Sequence, residues 1–376
     1  MRRPVFSLTL ALILSAPALL EPFSPLARAA RPKRSPVSGL IQIATPRPDR
    51  YAQVRTALAQ KVEVLRATGG LPAHLVGQFR YVAALHRAQS GEYYVFDRLG
   101  HSVYRVDLPA GTASKLVQIG PEPGRILSAS AFSIGTDGRF VVADAPNQRE
   151  RVQIFSVTGE RLGGFSLPGR ALPRLSLGNF VLSGVASLQY TGRSIIMSQP
   201  ETGGLITEFD LAGRPFHTFG PLRATGHEQD RDVHLALNSG LPLLGPTGGY
   251  YFVFQAGVPV FRRYDQAGQL VFERHIEGRE LDPVIADLPT TWPRKPVDGG
   301  RTLPLIMPTV RTAAVDPDGN LWVALTVPYT YVYNLDGEKI RTVQFHAAGL
   351  VEPASLSFES RTRLLVAPGC YAFTIR

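Results

Sequence analysis

The sequence is poor in cysteine: Cys370 is the single one among 376 residues. No disulfide can form within the chain, so its stability must come from a packed core, which a hydrophobic content of 44% can supply. Cys370 lies between two apolar runs, and we expect it to be a small buried residue rather than a nucleophile.

The sequence also lacks the short motifs of several enzyme classes. It contains no G-x-S-x-G, no GxxxxGK[ST], no H-E-x-x-H and no C-x-x-C. These motifs build a serine nucleophile turn, a phosphate loop, a zinc protease helix and a redox or zinc site, respectively. None of these four kinds of site is predicted.

Long apolar runs are missing after the N-terminus. Arg2 and Arg3 precede a mostly apolar stretch at residues 5–20, and a small-x-small pattern follows at residues 27–29. This arrangement predicts a cleaved signal peptide over residues 1–29 and Sec-type export to the periplasm or medium. A permanent membrane anchor is the competing interpretation, but the stretch is short for a bilayer span and Pro17 interrupts it.

The charge is unbalanced, with a formal net charge of +10. Residues 30–74 are predicted to form a basic, proline-rich linker followed by a helix. The helix is expected over residues 49–67, where Tyr51, Val54 and Leu58 recur at helical spacing. An exported basic tail is expected to be solvated or to touch anionic envelope surfaces, so nucleic acid is not a predicted partner.

From about residue 75 the apolar pattern changes to a period of two and repeats. Each copy has a turn, a nearly solid apolar strand and a second, alternating strand. The apolar strands are "YYVFD" at 93–97, "FVVAD" at 140–144, "IIMSQ" at 195–199, "YFVFQ" at 251–255, "LWVAL" at 321–325 and "LLVAP" at 364–368. Six copies of a four-strand meander at intervals of roughly 50 residues indicate a repeat architecture.

A radial arrangement explains why the inner strands are apolar on both faces while the outer ones alternate. Each sheet is then covered by its neighbours and few edges stay open. The sixth copy ends at Arg376 after its third strand. We expect "LVGQF" at 75–79 to supply the missing outer strand and to close the ring without a covalent bond.

Two segments resemble the NHL repeat, namely "IGTDGRFVVADAPNQRERVQIFSVTGERLGGF" at 134–165 and "VDPDGNLWVAL" at 315–325. The resemblance implies an all-β, six-bladed β-propeller over residues 75–376. It says little about activity, because similar propellers include scaffolds, sugar and peptide binders, lyases and lactone hydrolases.

Propeller ligands usually meet the loops at one end of the central channel. Two connections between copies are unusually long, at residues 220–241 and 275–310, and both should lie on the same face. Such loops are often functional, but they can also be packing caps over the ring, and the sequence leaves both interpretations open.

Candidate binding residues fall on the loops and strand ends expected at this channel mouth. Asp97, Asp144, Gln199 and Gln255 can form an incomplete ring of oxygen ligands for a divalent cation, or the aspartates can simply shape turns. The full set is Asp97, Arg98, Arg125, Asp144, Gln199, His234, Gln255, Trp292, Arg311 and Tyr329. The arginines suit a carboxylate or phosphate, or remain solvated.

Two functional hypotheses follow. The first is a non-catalytic binding or scaffold module for a protein, peptide or glycan, with no cofactor. The second is a metal-assisted lyase or hydrolase in the channel, prompted by Asp97, Asp144 and the pair His227 and His234. No catalytic residue or metal ligand is assigned from the sequence, and a bound divalent cation stays an option.

Overall fold

The computed structural model describes residues 62–168, 173–177, 180–183, 185, 187–296 and 302–376. All of them belong to the compact unit Ala59–Arg376. The predicted signal peptide, the linker and residues 49–61 of the predicted helix lie outside the described residues.

The described chain is all-β, with four-stranded antiparallel meanders in a propeller-like arrangement. Strands of the first part are β1 (Val62–Gly70), β2 (Val82–Arg87), β3 (Tyr93–Asp97), β4 (Ser102–Asp107), β5 (Thr112–Ile119), β6 (Arg125–Ile126), β7 (Ala129–Ile134), β8 (Phe140–Asp144), β9 (Arg151–Phe155), β10 (Arg161–Ser166), β11 (Pro173–Leu177), β12 (Phe180–Ser183), β13 (Leu188–Tyr190), β14 (Ile195–Met197), β15 (Gly204–Phe209) and β16 (Pro215–Pro221).

The second part continues the same pattern. Its strands are β17 (Gly240–Leu244), β18 (Tyr250–Phe254), β19 (Val260–Tyr264), β20 (Leu270–His275), β21 (Arg294–Pro296), β22 (Thr302–Pro304), β23 (Val310–Val315), β24 (Leu321–Leu325), β25 (Thr330–Tyr333), β26 (Lys339–His346), β27 (Ser355–Ser360), β28 (Arg363–Ala367) and β29 (Tyr371–Thr374).

Helices are short among the described residues. They are α1 (Ala73–Val76), α2 (Arg231–Leu237) and α3 (Asp282–Ala286), with 3-10 turns at Pro146–Gln148 and Pro200–Thr202. In the part of the chain that the structure describes, no helix has the length and apolarity needed to span a bilayer.

Burial of the strands follows the sequence pattern. Every residue of β3, β8 and β24 is buried, because sheets cover them on both faces. The outer strands β10 and β20 are largely exposed. Apolar contacts occur within and between meanders: Phe140 of β8 stacks on Phe155 of β9 at 5.2 Å between ring centroids, and Tyr94 of the preceding meander packs against Phe140 at 6.1 Å. The core is therefore distributed between the sheets.

One kind of hairpin turn recurs between third and fourth strands, with the sequence aromatic, polar, two residues, Gly at 155–159, 209–213, 264–268 and 333–337. The polar side chain accepts hydrogen bonds from the backbone N–H groups two and four residues later, as Asp265 does from Ala267 (2.9 Å) and Gln269 (2.8 Å). Gly268 adopts φ of +77°, which favours glycine. Equivalent turns begin at Ser156, Asp210 and Asn334.

The first strand of each meander lies next to the first strand of a neighbouring one. The neighbouring pairs are β7 and β13, β13 and β17, β17 and β23, β23 and β27, and β27 and β2. Between β2 and β7 the contact is made by side chains, since His86 lies 5.8 Å from Phe132 between ring centroids. These strands surround a common central space.

The ring is closed by β1, which joins two meanders into an eight-stranded sheet. Residues Val62 to Arg66 pair in parallel with β26, and Ala67 to Gly70 pair antiparallel with β29. Leu65 is buried beside Trp322 and Phe373. Closure without a covalent bond agrees with the sequence-based expectation, and the three-stranded last copy is present as β27 to β29.

The prediction that residues 75–79 supply the closing strand is wrong. Residues 75–79 complete the short helix α1 and a turn, and Leu75 is fully buried against the neighbouring sheet. The predicted helix is also wrong for residues 62–67, which form β1. The spacing of Val62 and Leu65 also suits a helix, but β1 forms hydrogen-bond ladders on both edges. These two ladders stabilise the strand more than an isolated helix of this composition would be stabilised.

Candidate functional site

The central space is a cavity of about 990 Å³. Residues of β2, β7, β13, β17, β23 and β27 line it. This volume lies at the upper end of the range that holds small organic ligands. The cavity is the natural candidate for a binding site in the described chain.

One end of the cavity, here called the mouth, is where these first strands begin. In each antiparallel pair the end of the second strand lies beside the start of the first: Asp97 pairs with Val82, and Leu325 pairs with Val310. The residues that immediately follow a second strand therefore also lie at the mouth. Arg98, Gln255 and Thr326 occupy that position and line the cavity.

Arg98 is a cation at the mouth that has no counterion among the described residues. Its Nε is buried and has no hydrogen-bond partner among the described residues. Within the same residues the structure records no ion pair for this guanidinium, and burial lowers its pKa, opposed by the nearby Tyr81 hydroxyl. A buried cation without a carboxylate partner is costly, so the group is suited to an anion brought in from outside.

Arg311 is the second cation at the mouth. One of its terminal nitrogens, Nη2, lies 2.6 Å from Oε2 of Glu352, and both residues line the cavity. Its Nε is buried without a hydrogen-bond partner in the described chain. The hydroxyl oxygen of Ser355, which also lines the cavity, is likewise buried without a hydrogen-bond partner among these residues.

Gln255 adds a buried amide to the wall. Its backbone is fixed, because its N–H donates to Ser239 and its carbonyl accepts from Thr309 at 2.8 Å. The residue is only 3% exposed, yet Oε1 has no hydrogen-bond partner among the described residues. Arg98, Gln255, Arg311 and Ser355 thus all line one cavity, and each has a buried polar atom without a hydrogen-bond partner among the described residues.

His86 lies on the cavity wall and was missed by the sequence analysis. Its Nδ1 lies 2.9 Å from Oγ of Ser357, which joins β2 to β27. Burial lowers the pKa of His86 to about 4, so the imidazole is neutral at pH 7. A faint sequence signal existed, since His86 directly follows the apolar run "VAAL" within the strand "VAALHR".

The two predicted carboxylates do not face the cavity. Asp97 accepts hydrogen bonds from the N–H groups of Arg80, Tyr81 and Gly100, each 2.9 Å long. Its role is to hold the loop that begins the meander, which agrees with the turn-shaping interpretation. Its neighbour Arg98 faces the cavity instead, because successive side chains of an extended chain point to opposite sides.

Asp144 is likewise engaged within the wall. It forms a two-pronged ion pair with Arg151, with Nε to Oδ1 at 2.8 Å and Nη2 to Oδ2 at 2.9 Å. It also accepts from the N–H of Leu127 at 2.9 Å. The ring of oxygen ligands that includes Asp97, Asp144, Gln199 and Gln255 is therefore not assembled around the cavity.

The other predicted residues lie away from the cavity wall. Arg125 forms a loose surface pair with Glu122 at 3.8 Å. Gln199 is buried and begins the 3-10 turn at Pro200–Thr202. Tyr329 packs partly buried against the apolar cluster of β23 to β25.

His234 belongs to α2 rather than to the cavity wall. Its Nδ1 lies 2.8 Å from Oγ1 of Thr225, and Glu228 is 3.9 Å away. In the ranges that the structure describes, no group of three or more His, Cys, Asp or Glu side chains is placed to hold a metal ion. Cys370 is buried as expected, and burial raises its pKa to about 12.

The two long connections pack against each other. Trp292 is buried in a small apolar cluster with residues of α2, Ala256 and Ile306. Arg294 bonds Asp230 at 2.6 Å and Asp232 at 3.2 Å, which ties the second connection to the first. Trp292 thus stabilises the loops rather than lining the cavity.

The connections also reach the cavity. Val284 of α3, with Met307 and Pro308, forms part of its lining. The first connection is anchored by Arg223, which donates to the carbonyls of Ala256 at 2.7 Å and Leu237 at 3.1 Å. The two long connections, held by these contacts, therefore form a rim beside the mouth.

Comparisons with known proteins add little beyond the fold. No family model matches the chain and no curated protein matches it. Among solved structures, virginiamycin B lyase from Staphylococcus aureus is 11% identical, with a TM-score of 0.49 over 80% of this chain and 97% of that chain. Its catalytically inactive form with quinupristin is 12% identical, with a TM-score of 0.48 over 79% and 95%.

Hydrazine synthase from Kuenenia stuttgartiensis is also similar, at 12% identity and a TM-score of 0.44 over 79% of this chain and 96% of that chain. These likenesses are too distant to indicate what the cavity binds. The chemistry of the site must come from its own residues.

Proposed function

We propose that the protein is an exported, NHL-like six-bladed β-propeller that binds a ligand in its central cavity. It acts as a binding or scaffold module. Support for six blades comes from the first strands that line the cavity, each leading a meander. The sixth blade is completed by β1.

The observation that supports binding most strongly is the set of unsatisfied polar atoms in one cavity. Arg98, Arg311, Gln255 and Ser355 each present a buried nitrogen or oxygen with no partner among the described residues. Buried polar groups are normally hydrogen-bonded, and each one left unpaired costs about 1–3 kcal/mol. A ligand that turns these side chains towards the cavity and bonds these atoms would recover that free energy.

The rim formed by the long connections suits selection among ligands. Their apolar cluster and the Arg294 ion pairs hold them in place without help from a ligand. A preformed rim lowers the ordering cost of binding. A peptide, a glycan end or a small molecule can enter such a mouth, whereas a folded protein would contact the rim.

Blocking the cavity tests this proposal. Ala354 lines the cavity, and Ala354→Trp would fill the mouth. Ala267 lies on an exposed turn, and Ala267→Trp is the matched control. Peptide, glycan and small-molecule arrays should show binding that is lost with Ala354→Trp and kept with Ala267→Trp. Binding that survives Ala354→Trp but is lost when residues 221–240 are replaced would contradict the cavity as the site.

A further inference from the structure

Among the described residues that line the mouth of the cavity, one positive charge has no paired carboxylate. The charged residues there are Arg98 and Arg311 against Glu352, and the Glu352 carboxylate is paired with Arg311. Asp316 also lines the cavity, but it follows the far end of β23, about 16 Å from Arg311 at about 3.3 Å a residue.

The Asp316 carboxylate is already hydrogen-bonded within its own hairpin. It accepts hydrogen bonds from the N–H groups of Asp318 (3.0 Å) and Asn320 (2.8 Å) and from Nε1 of Trp322 (2.9 Å). Among the described residues, the recorded partners of Asp316 and Glu352 do not include the Arg98 guanidinium. The described residues that line the mouth therefore have a formal surplus of one positive charge, located on Arg98.

Apolar surface continues from this charge into the cavity. Phe132, Leu243 and Phe358 line it with partly exposed side chains, and Met307 is 49% exposed beside the mouth. His86 contributes no charge at neutral pH, since burial lowers its pKa to about 4. The cavity thus combines one positive charge, a few hydrogen-bonding groups and apolar walls.

We propose that the ligand is an organic monocarboxylate with an apolar body, held by Arg98 at the mouth. This inference rests on the proposed function. A guanidinium binds a carboxylate through two parallel N–H bonds. The amide of Gln255 and the hydroxyl of Ser355 satisfy further ligand atoms, while the apolar body lies against Phe132. A dianionic phosphate has more charge than the mouth neutralises.

Matched probes test the charge requirement. Phenylacetate, 4-phenylbutyrate and 1-naphthylacetate are each titrated calorimetrically against their primary amides, with inorganic phosphate as a further probe. We expect each carboxylate that binds to do so at least ~10-fold more tightly than its amide, since charge-assisted hydrogen bonds are about twice as strong as neutral ones.

Three variants separate charge from folding. Arg98→Gln should remove the preference for carboxylate over amide, and Arg98→Lys should restore part of it. Glu352→Gln should tighten carboxylate binding several-fold, because Arg311 loses its partner. The Glu352 side chain is 60% exposed, so this change does not threaten the fold. Arg125→Gln, at a surface pair, is the control.

The outcomes distinguish the two proposals. Carboxylate preference that disappears with Arg98→Gln and increases with Glu352→Gln supports the inference. Amides that bind as tightly as carboxylates, or phosphate that binds more tightly, overturn it and leave cavity binding intact. If none of the probes binds, the monocarboxylate is wrong, and if the arrays also find nothing that Ala354→Trp abolishes, the proposed function fails with it.

Discussion

Oγ of Ser357 lies 2.9 Å from Nδ1 of His86, so a side-chain contact on the cavity wall joins β27 to β2. Burial lowers the pKa of His86 to about 4, which keeps the ring neutral at pH 7. The neighbouring Phe132 ring covers it at 5.8 Å between centroids. The cavity wall therefore includes a histidine that stays neutral at pH 7.

Acid should destabilise the protein through His86. Because the folded state binds the proton more weakly, the unfolded chain takes up more protons between pH 6.5 and about 4. The free energy of unfolding should fall as pH drops through this window, by up to about 3 kcal/mol. Urea denaturation at pH 7 and pH 4.5 measures it.

His86→Gln should reduce this pH dependence, and His74→Gln on the exposed surface controls for the substitution itself. Burial also lowers the pKa of His101, which should leave a residual dependence in the same direction. An unchanged slope in His86→Gln would show that the ring is not protected from protons.

Replacing Asp144 should affect stability rather than binding. Its carboxylate is fully buried and accepts two hydrogen bonds from the Arg151 guanidinium. Asp144→Ala leaves a poorly exposed arginine without its partner, which typically costs about 3–5 kcal/mol. Denaturant unfolding measures the loss, and Asp137→Ala at an exposed pair with Arg139 should cost under about 1 kcal/mol.

Ligand binding should survive Asp144→Ala at temperatures where the variant is folded. Loss of binding in a folded variant would instead place this carboxylate in the site and favour the alternative of a metal-assisted lyase or hydrolase.

The closing strand should behave as part of the core. Leu65 is 7% exposed and packs beside Trp322, so Leu65→Ala should lower the free energy of unfolding by about 2–4 kcal/mol. Val64, on the same strand, is 46% exposed, and Val64→Ala is the matched control. Equal small effects of the two changes would show that β1 is only loosely attached.

Arg223 should stabilise the rim of the mouth. Burial lowers its pKa to about 10, and it donates to three backbone carbonyls, those of Leu237, Ala256 and Val258. A lysine ammonium cannot reproduce the planar set of N–H donors of the guanidinium. Arg223→Lys should therefore lower the free energy of unfolding by about 1–3 kcal/mol, as measured by thermal or denaturant unfolding. Arg193→Lys on the exposed surface controls for the change, and an equal effect would contradict the anchoring role.

The repeat could be predicted from the sequence because each strand and turn signal recurs. The position of the site could be predicted only coarsely. Asp97 and Arg98 are adjacent, and a shift of one residue decides which of them faces the cavity. Sequence patterning gives the alternation but not its phase at a strand end, so both residues were candidates, and the structure places Arg98 on the cavity wall.

The closing strand shows a second limit. Residues 62–70 have only a weak strand pattern, and their structure depends on two edges that are distant in sequence, β26 and β29. The pairing of His86 with Ser357, 271 residues apart, is similarly invisible to local patterns. Both features come from ring closure, which tertiary contacts determine.

The most direct test of the account is a crystallographic fragment screen of the purified protein. If the cavity is the binding site, bound fragments will cluster in it, with their polar atoms within hydrogen-bond distance of Arg98, Gln255 or Arg311. Fragments found only on the outer faces of the sheets or loops, with none in the cavity, would contradict it.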